Sequence, residues 1–236
     1  VKYNHDRENH NIAAFEVGRV HFKTDNHYHE PSVLGIVLSG KSQPYHIDPK
    51  PRDVDFYDLK GIIENLFDGL NIKRYSFRFS YLDTFHPGRQ ALIQVDGVDV
   101  GSMGEISPAI ERRLDVPERI YFAELSLPDL LLAKRGDLKM KSIAIYPFSQ
   151  RDWTVKVDEN VPVYQLISSI QHTPSKLLEE VSLIDIFRSE KLGADMKNVT
   201  LRFVYRDLEK TLSQEEVDIE HARIIAKAEM MAFKSV

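Results

Sequence analysis

Apolar residues recur along the chain with two different periods, and the period changes from segment to segment. Phe56, Leu59, Ile63, Leu66 and Leu70 fall three and four residues apart, the spacing of one helix face, and Asp55 stands where it can cap the first turn. Tyr75, Phe77, Phe79 and Tyr81 alternate with polar neighbours, which predicts a half-buried strand. Residues 33–38 read as a short apolar strand. Residues 91–95 and 98–100 flank Asp96-Gly97, a pair that accepts the positive φ of a tight type I′ turn and so predicts a hairpin. Tyr121, Ala123, Leu125 and Leu127 line one face of a further strand. These segments predict a mostly antiparallel sheet backed by helix.

After the apolar run 125–132 comes Lys134-Arg135-Gly136-Asp137-Leu138-Lys139, a polar stretch broken by glycine. It predicts a boundary, with domains at 1–138 and 139–236. A weaker break, Asp48-Pro49-Lys50-Pro51-Arg52-Asp53, reads as a loop inside the first domain, because too little precedes it to fold alone. In the second domain Trp153, Val155 and Val157 share a strand face, and Val163, Leu166, Ile167 and Ile170 follow at helical spacing. Residues 181–187 and 199–205 are strands joined by the polar loop 188–197. Ser213-Gln214-Glu215-Glu216 is a capping box opening a helix whose stripe is Val217, His221, Ile224, Ala228 and Met231. The order β-α-β-β-α is a split βαβ, ferredoxin-like unit that needs one more strand. The expected fold class is α+β.

Composition narrows the function. The 236 residues suffice for two domains with cores. No apolar run approaches the roughly 20 residues of a membrane-spanning helix, and Val1-Lys2-Tyr3-Asn4-His5 is not a signal peptide. The absence of cysteine excludes disulfides, thiolate metal sites and a cysteine nucleophile, and fits a cytoplasmic location. The net charge of −5 argues against a chain held to nucleic acid by general phosphate attraction, so any RNA contact has to be local.

Few constellations carry chemistry. His27-Tyr28-His29 and His46-Ile47-Asp48 lack the spacing of a closed metal site and read as solvated loops, so no metal ligands are assigned. His86-Pro87-Gly88-Arg89 could grip a carboxylate or phosphate, yet no partnering acid is identifiable nearby and a structural turn is the simpler reading. Gly101-Ser102-Met103-Gly104-Glu105 lacks the lysine of a phosphate loop and reads as a place where backbones cross closely. In 183–187, alternation puts Leu183, Asp185 and Phe187 on one strand face and Ile184 and Ile186 on the other. Asn198, Thr200 and Arg202 share the polar face of the next strand. An exposed ring beside hydrogen-bonding groups suits an unpaired base; a solvated sheet face is the plainer alternative.

Four segments in order resemble the catalytic-like module of bacterial phenylalanine–tRNA ligase β subunits. They are Phe15-Glu16-Val17-Gly18, Asp55-Phe56-Tyr57-Asp58-Leu59-Lys60-Gly61, Phe85-His86-Pro87-Gly88-Arg89-Gln90-Ala91 and Gly101-Ser102-Met103-Gly104-Glu105-Ile106-Ser107-Pro108. Tyr146-Pro147, Arg151-Asp152, the run 183–187, Thr211-Leu212-Ser213 and Glu215-Glu216-Val217 resemble that family's ferredoxin-fold anticodon-binding domain. The resemblance implies a class II synthetase-like first domain that is catalytically inert and supports the catalytic α subunit in an α2β2 tetramer. In keeping with this, the first domain holds no arginine-x-glutamate ATP motif, and Glu111-Arg112 is only an echo of the family's glycine-rich arginine motif. The second domain is implied to bind the anticodon of phenylalanine tRNA, whose first base is guanine, through Asp185, Phe187 and Asn198. Arg151 and Arg202 complete the expected RNA-binding set. The family commonly has tyrosine and serine where this chain has Phe187 and Asn198. No cofactor is expected in this chain, ATP and magnesium being implied for the whole enzyme elsewhere; neither DNA nor membrane is an expected partner. The chain reads as a fragment that starts inside the catalytic-like module and ends with little sequence for a fourth ferredoxin strand. Two rivals remain: an independent enzyme using His86, Arg89 and Glu105, and a ferredoxin-like module that binds an amino acid.

Overall fold

A computed structural model describes residues 1–136, 143–193 and 195–232, with side chains as far as residue 229. The chain divides into two compact units, Val1–Lys139 and Met140–Val236. Residues 137–142, where the polar stretch ends, and 233–236 lie outside the described residues, as does the side chain of Met231.

The first unit opens with a short helix α1 (Lys2–His5), then β1 (Ile12–Arg19), a small hairpin of β2 (Phe22–Thr24) and β3 (His27–His29), and β4 (Ser32–Ser39). Helix α2 (Phe56–Gly69) follows, then β5 (Tyr75–Arg78), β6 (Phe85–Val95), β7 (Val98–Ile106), α3 (Pro108–Leu114), β8 (Ile120–Ser126) and α4 (Leu127–Leu132). The six-stranded sheet has the order β1-β4-β8-β7-β6-β5, antiparallel throughout. Helix α2 starts as its sequence predicts. Tyr57 and Asp58 donate their N–H groups to the Asp55 carboxylate, Asp55 N–H donates to Asp58, and Arg52 grips Asp58 with two 2.7 Å bonds. Its buried face, Leu59, Ile63 and Phe67, packs on Leu34, Ile36, Ile93, Met103, Ala123 and Leu125 from the sheet. Asp96 (φ 51°) and Gly97 (φ 83°) make the tight turn between β6 and β7.

Two local expectations are corrected. Strand β5 stops at Arg78, so Phe79 and Tyr81 are 76% and 84% exposed instead of half-buried, their rings facing each other at 6.4 Å. The cause lies in β6, where the Gln90 side chain takes the Ser80 hydroxyl and the Leu82 N–H and so replaces the ladder bonds that would extend β5. Leu127 does not end a strand: Pro128 has no N–H to give a ladder, and it starts α4 instead. The Gly101–Glu105 segment lies in the middle of β7, and the close backbone approach expected there is present. A methyl group on Gly101 would overlap the Glu124 carbonyl oxygen of β8.

The second unit runs β9 (Ser149–Asp158), α5 (Val163–Gln171), β10 (Leu178–Phe187), a 3₁₀ turn at Glu190–Leu192, β11 (Met196–Tyr205) and α6 (Gln214–Ala232). Its antiparallel sheet has the order β10-β11-β9, so the third strand in sequence is central. Val155, Val157, Val199, Leu201, Phe203 and Tyr205 pack under Leu166 and Ile170 of α5 and Val217, Ile224 and Ala228 of α6. The capping box is present: Glu216 N–H donates to Ser213 Oγ and Ser213 N–H to Glu216. With Lys210 beside it, the Glu216 carboxyl is held down at about 2. His221 lies edge-on to Phe203 and pairs through Nδ1 with the Tyr205 hydroxyl at 2.8 Å.

The two glycine environments make opposite predictions. Gly101→Ala forces β7 away from β8 and should destabilise the first unit by about 1–3 kcal/mol, the usual cost of overpacking. Gly61, inside α2, has open space where a Cβ would go, so Gly61→Ala should stabilise by about 0.5–1 kcal/mol through helix propensity. Urea unfolding followed by far-UV circular dichroism measures both, and equal midpoints for the two variants would refute the packing argument.

Candidate nucleic-acid interface

Because helices cover only one side of the β9–β11–β10 sheet, the alternate residues of these strands form an uncovered face. Antiparallel pairing arranges that face in rows. Phe187, Asn198 and Lys156 stand side by side across the three strands. Asp185, Thr200 and Thr154 form the next row, with the two threonine hydroxyls bonded at 2.9 Å. Ser182, Arg202 and Asp152 form the third, in which Arg202 holds Asp152 through two 2.8 Å bonds. Direct cross-strand neighbours sit about 4.5–5.5 Å apart at Cβ, so the first two rows offer a ring, a carboxylate, an amide and an ammonium within one small area.

The register contains a correction that matters here. Between Leu183 and Asp185 the pairing shifts: Leu183 lies opposite Leu201, yet Asp185 lies opposite Thr200. One extra residue, Ile184, is inserted at a β-bulge, and the parity of the strand changes there. Leu183 is therefore in register with the buried face of β11, not with Asp185 and Phe187, and Ile184 is 47% exposed instead of lying under the helices. Asp185 and Phe187, C-terminal to the bulge, both face the uncovered side, and Ile186 pairs with buried Val199. Phe187 is 53% exposed. Among the described residues the side chains of Asp185 and Lys156 make no hydrogen bond or ion pair, so their charges are available to a ligand. The Arg202 guanidinium holds the Asp152 carboxyl below the usual carboxylate range, and Asp152 in turn holds Arg202 above its own.

Of the five expected contact residues, four share this face: Asp185, Phe187, Asn198 and Arg202. Arg151 does not. It lies opposite Phe203 on the covered side, where its guanidinium bonds Asp218 Oδ1 at 2.7 Å and Gln214, tying β9 to the first turns of α6. Sequence reasoning missed Lys156, Thr154 and Ser182. The alternation of Gln150, Asp152, Thr154 and Lys156 with Arg151, Trp153, Val155 and Val157 carries the signal for the first two.

The rival constellation in the first unit is occupied by its own partners. Arg89 Nη1 lies 2.7 Å from Glu105 Oε1, the Tyr121 hydroxyl donates to Glu105 Oε2 at 3.2 Å, and the Glu105 side chain is 3% exposed. Burial raises the Tyr121 pKa. The acid that Arg89 needs is thus sixteen residues away and structural, and His86 Nδ1 only accepts the Gly88 N–H. His27 and His29 are exposed in β3 and His46 is exposed in a loop.

A second surface of the first unit is apolar. Ala13, Phe15 and Val17 of the edge strand β1 pair with Leu38, Ile36 and Leu34 of β4, on the side where α2 packs. Helix α2 does not reach the edge, so Phe15 and Val17 stay 76% and 57% exposed beside an apolar trough of about 480 Å³ closed by Ile62 and Leu66.

Residues 1–127 match the family described as "Phenylalanyl tRNA synthetase beta chain CLM domain", and residues 144–233 match "Ferredoxin-fold anticodon binding domain". The chain is 53% identical over 224 residues to the phenylalanine–tRNA ligase beta subunit of Protochlamydia amoebophila, covering 95% of this chain and 28% of that protein. It is 36% identical to the corresponding subunit of Chlamydia caviae (91% and 28%) and 32% identical to that of Symbiobacterium thermophilum (95% and 25%). The chain therefore spans about a quarter of the length of the curated relatives it matches. A crystal structure of pyrrolysyl-tRNA synthetase from Desulfitobacterium hafniense aligns at a TM-score of 0.41 and 12% identity, over 56% of this chain and 45% of that one, too distant to carry an argument.

The Arg202–Asp152 pair is directly testable. Asp152 should titrate below its ordinary value of 3.8 when followed by carboxyl ¹³C shifts, and Arg202→Gln should return it towards that value. Because the folded-state pKa is the depressed one, any stabilisation from the pair is present above the unfolded value and is lost as pH falls through the folded one. An unchanged Asp152 midpoint in Arg202→Gln would show that the pair does not form in solution.

Proposed function

The chain belongs to the phenylalanyl-tRNA synthetase β-chain family, and on that premise we propose that it works as a non-catalytic part of an ATP- and magnesium-dependent phenylalanine–tRNA ligase, its second unit holding the anticodon of phenylalanine tRNA. The observation that carries this reading is the placement of Asp185 and Phe187 beside Asn198 and Lys156 on the uncovered sheet face. An unpaired base stacks on the Phe187 ring. Guanine offers N1–H and N2–H₂ together, and a carboxylate at Asp185 accepts both; adenine presents no such pair of donors. Asn198 adds a donor and an acceptor, and Lys156 supplies local positive charge for a phosphate in a chain whose net charge is negative. Arg202 braces the face through Asp152 and contacts RNA at its margin. Arg151 is left out of the contact set because its guanidinium is committed to α6.

The first unit is inert in this reading and serves assembly. The apolar trough along β1, with Phe15 and Val17 at its rim, supports a covered contact with the catalytic α subunit or with the remainder of the β subunit. A cytoplasmic location goes with this role, and no helix of the described residues is long and apolar enough to cross a membrane. Glu105 is buried between Arg89 Nη1 and the Tyr121 hydroxyl, which favours a structural role for this group over an independent enzyme that uses it.

Mixing the chain with ATP, magnesium and phenylalanine should release no pyrophosphate; release would overturn the inert assignment. Stacking on an aromatic ring is worth about 1–3 kcal/mol per base, so Phe187→Ala should weaken binding of the guanine-bearing anticodon stem-loop by about 5- to 150-fold. Asp185→Asn should reduce discrimination between guanine and adenine at the first anticodon position more than it reduces overall affinity. Titration of both stem-loops, with the reassembled enzyme where the chain alone binds weakly, separates these effects. Equal losses for both bases in Asp185→Asn, with no loss in Phe187→Ala, would reduce this face to ordinary solvated surface.

A further inference from the structure

Three residues outside both surfaces converge on one point. His5 closes α1, His10 precedes β1, and Glu118 lies in the turn between α3 and β8. His5 Nδ1 stands 3.1 Å from Glu118 Oε2, His10 Nδ1 stands 3.0 Å from Glu118 Oε1, and the two ring nitrogens are 2.9 Å apart. The rings meet edge to face with centroids 4.7 Å apart. Hydrogen bonding does not account for all of these approaches. One proton can sit between the two imidazole nitrogens, and the solvent-shielded Glu118 Oε2 accepts no hydrogen bond from any described residue despite its short distance to His5. Three lone-pair-bearing groups thus face one another with too few aligned protons among them, an arrangement that a cation between them would satisfy.

We propose that His5 Nδ1, His10 Nδ1 and the Glu118 carboxylate form a binding site for a zinc-like divalent transition-metal ion. A tetrahedral zinc with bonds of about 2.0–2.1 Å spaces its ligand atoms about 3.3–3.4 Å apart. The observed triangle has to open by only a few tenths of an ångström, which rotation of the 43% exposed His10 side chain permits. Two imidazoles with one carboxylate suit zinc, cobalt or nickel, while magnesium and calcium prefer oxygen ligands throughout. With three protein ligands a fourth position stays open to water or to a group from a partner. The ion would tie residues 5 and 10 to residue 118, clamping α1 and the entry to β1 onto the turn that leads into β8. Sequence inspection passes over this set because the third ligand is more than a hundred residues from the other two.

The test is zinc titration of the 236-residue chain against a competing chelator, with cobalt absorption reporting geometry. One equivalent of zinc should bind with micromolar affinity or tighter and raise the melting temperature. Cobalt should give the intense visible bands of a tetrahedral site. His5→Ala and Glu118→Gln should each weaken zinc at least tenfold, while a His27→Ala/His29→Ala variant should bind as the parent does. The chain has no cysteine, so His10→Cys should keep the metal and add a thiolate-to-cobalt charge-transfer band that only direct coordination at residue 10 produces. No stoichiometric binding by the parent, binding that survives in a folded His5→Ala/His10→Ala variant, or a His10→Cys protein that binds cobalt without the charge-transfer band would each overturn the proposal.

Discussion

Every second side chain of β11, from Val199 through Leu201 and Phe203 to Tyr205, is shut off from water beneath α5 and α6, and the period of two then forces Asn198, Thr200 and Arg202 onto the side that no helix covers. A slip of one residue would expose four large apolar groups, each worth about 1.5–3 kcal/mol when fully buried. The core therefore dictates the register, and the register dictates which polar groups meet in rows across the outer face. Phe187 and Asp185 gain a fixed position relative to Asn198 and Thr200 without direct bonds of their own. A face built this way is stiff, so little ordering would remain for the base stacking proposed above.

The bulge at Ile184 works within the same constraint. It lets Val181 and Ile186 both lie against the buried side of β11 although they stand five positions apart, an odd offset that plain alternation would send to opposite faces. Without it, strand alternation would turn Phe187 towards the helices or Val181 towards water. The half-exposed Leu183 and Ile184 accompany this change of parity and add apolar surface close to the acid and the ring.

In the first unit the corresponding constraint is left incomplete. Helix α2 covers the middle of the sheet and leaves the apolar side of β1 uncovered, while the buried Glu105 carboxylate is closed by Arg89 and Tyr121. The exposed edge combines unpaired strand backbone with large apolar side chains, an arrangement that soluble proteins usually cover. An assembly role follows more readily from that surface than a chemical one follows from the Arg89–Glu105 ion pair.

Much of the fold is legible in contiguous residues. The α2 stripe with its Asp55 cap, the Asp96-Gly97 hairpin, the Ser213–Glu216 capping box and the alternation of 153–157 and 199–205 all express interactions within a few residues, where helical and strand periods act directly. The candidate face was half legible for the same reason: the side of Asn198, Thr200 and Arg202 follows from one strand, but the side of Leu183 does not. A bulge exists only when a second strand is present to be paired against, so the parity change at Ile184 was settled by the partner strand. The end of β5 was settled by a side chain of β6, the commitment of Arg151 by α6, and the partner of Arg89 by the neighbouring strand β7. The meeting of His5, His10 and Glu118 was settled by how the strand order of the sheet returns the chain to its starting end. Sequence by itself determined the elements and the faces they present; tertiary pairing decided which faces meet, because hydrogen-bond register and long-range contact are properties of two segments and are written in neither one alone.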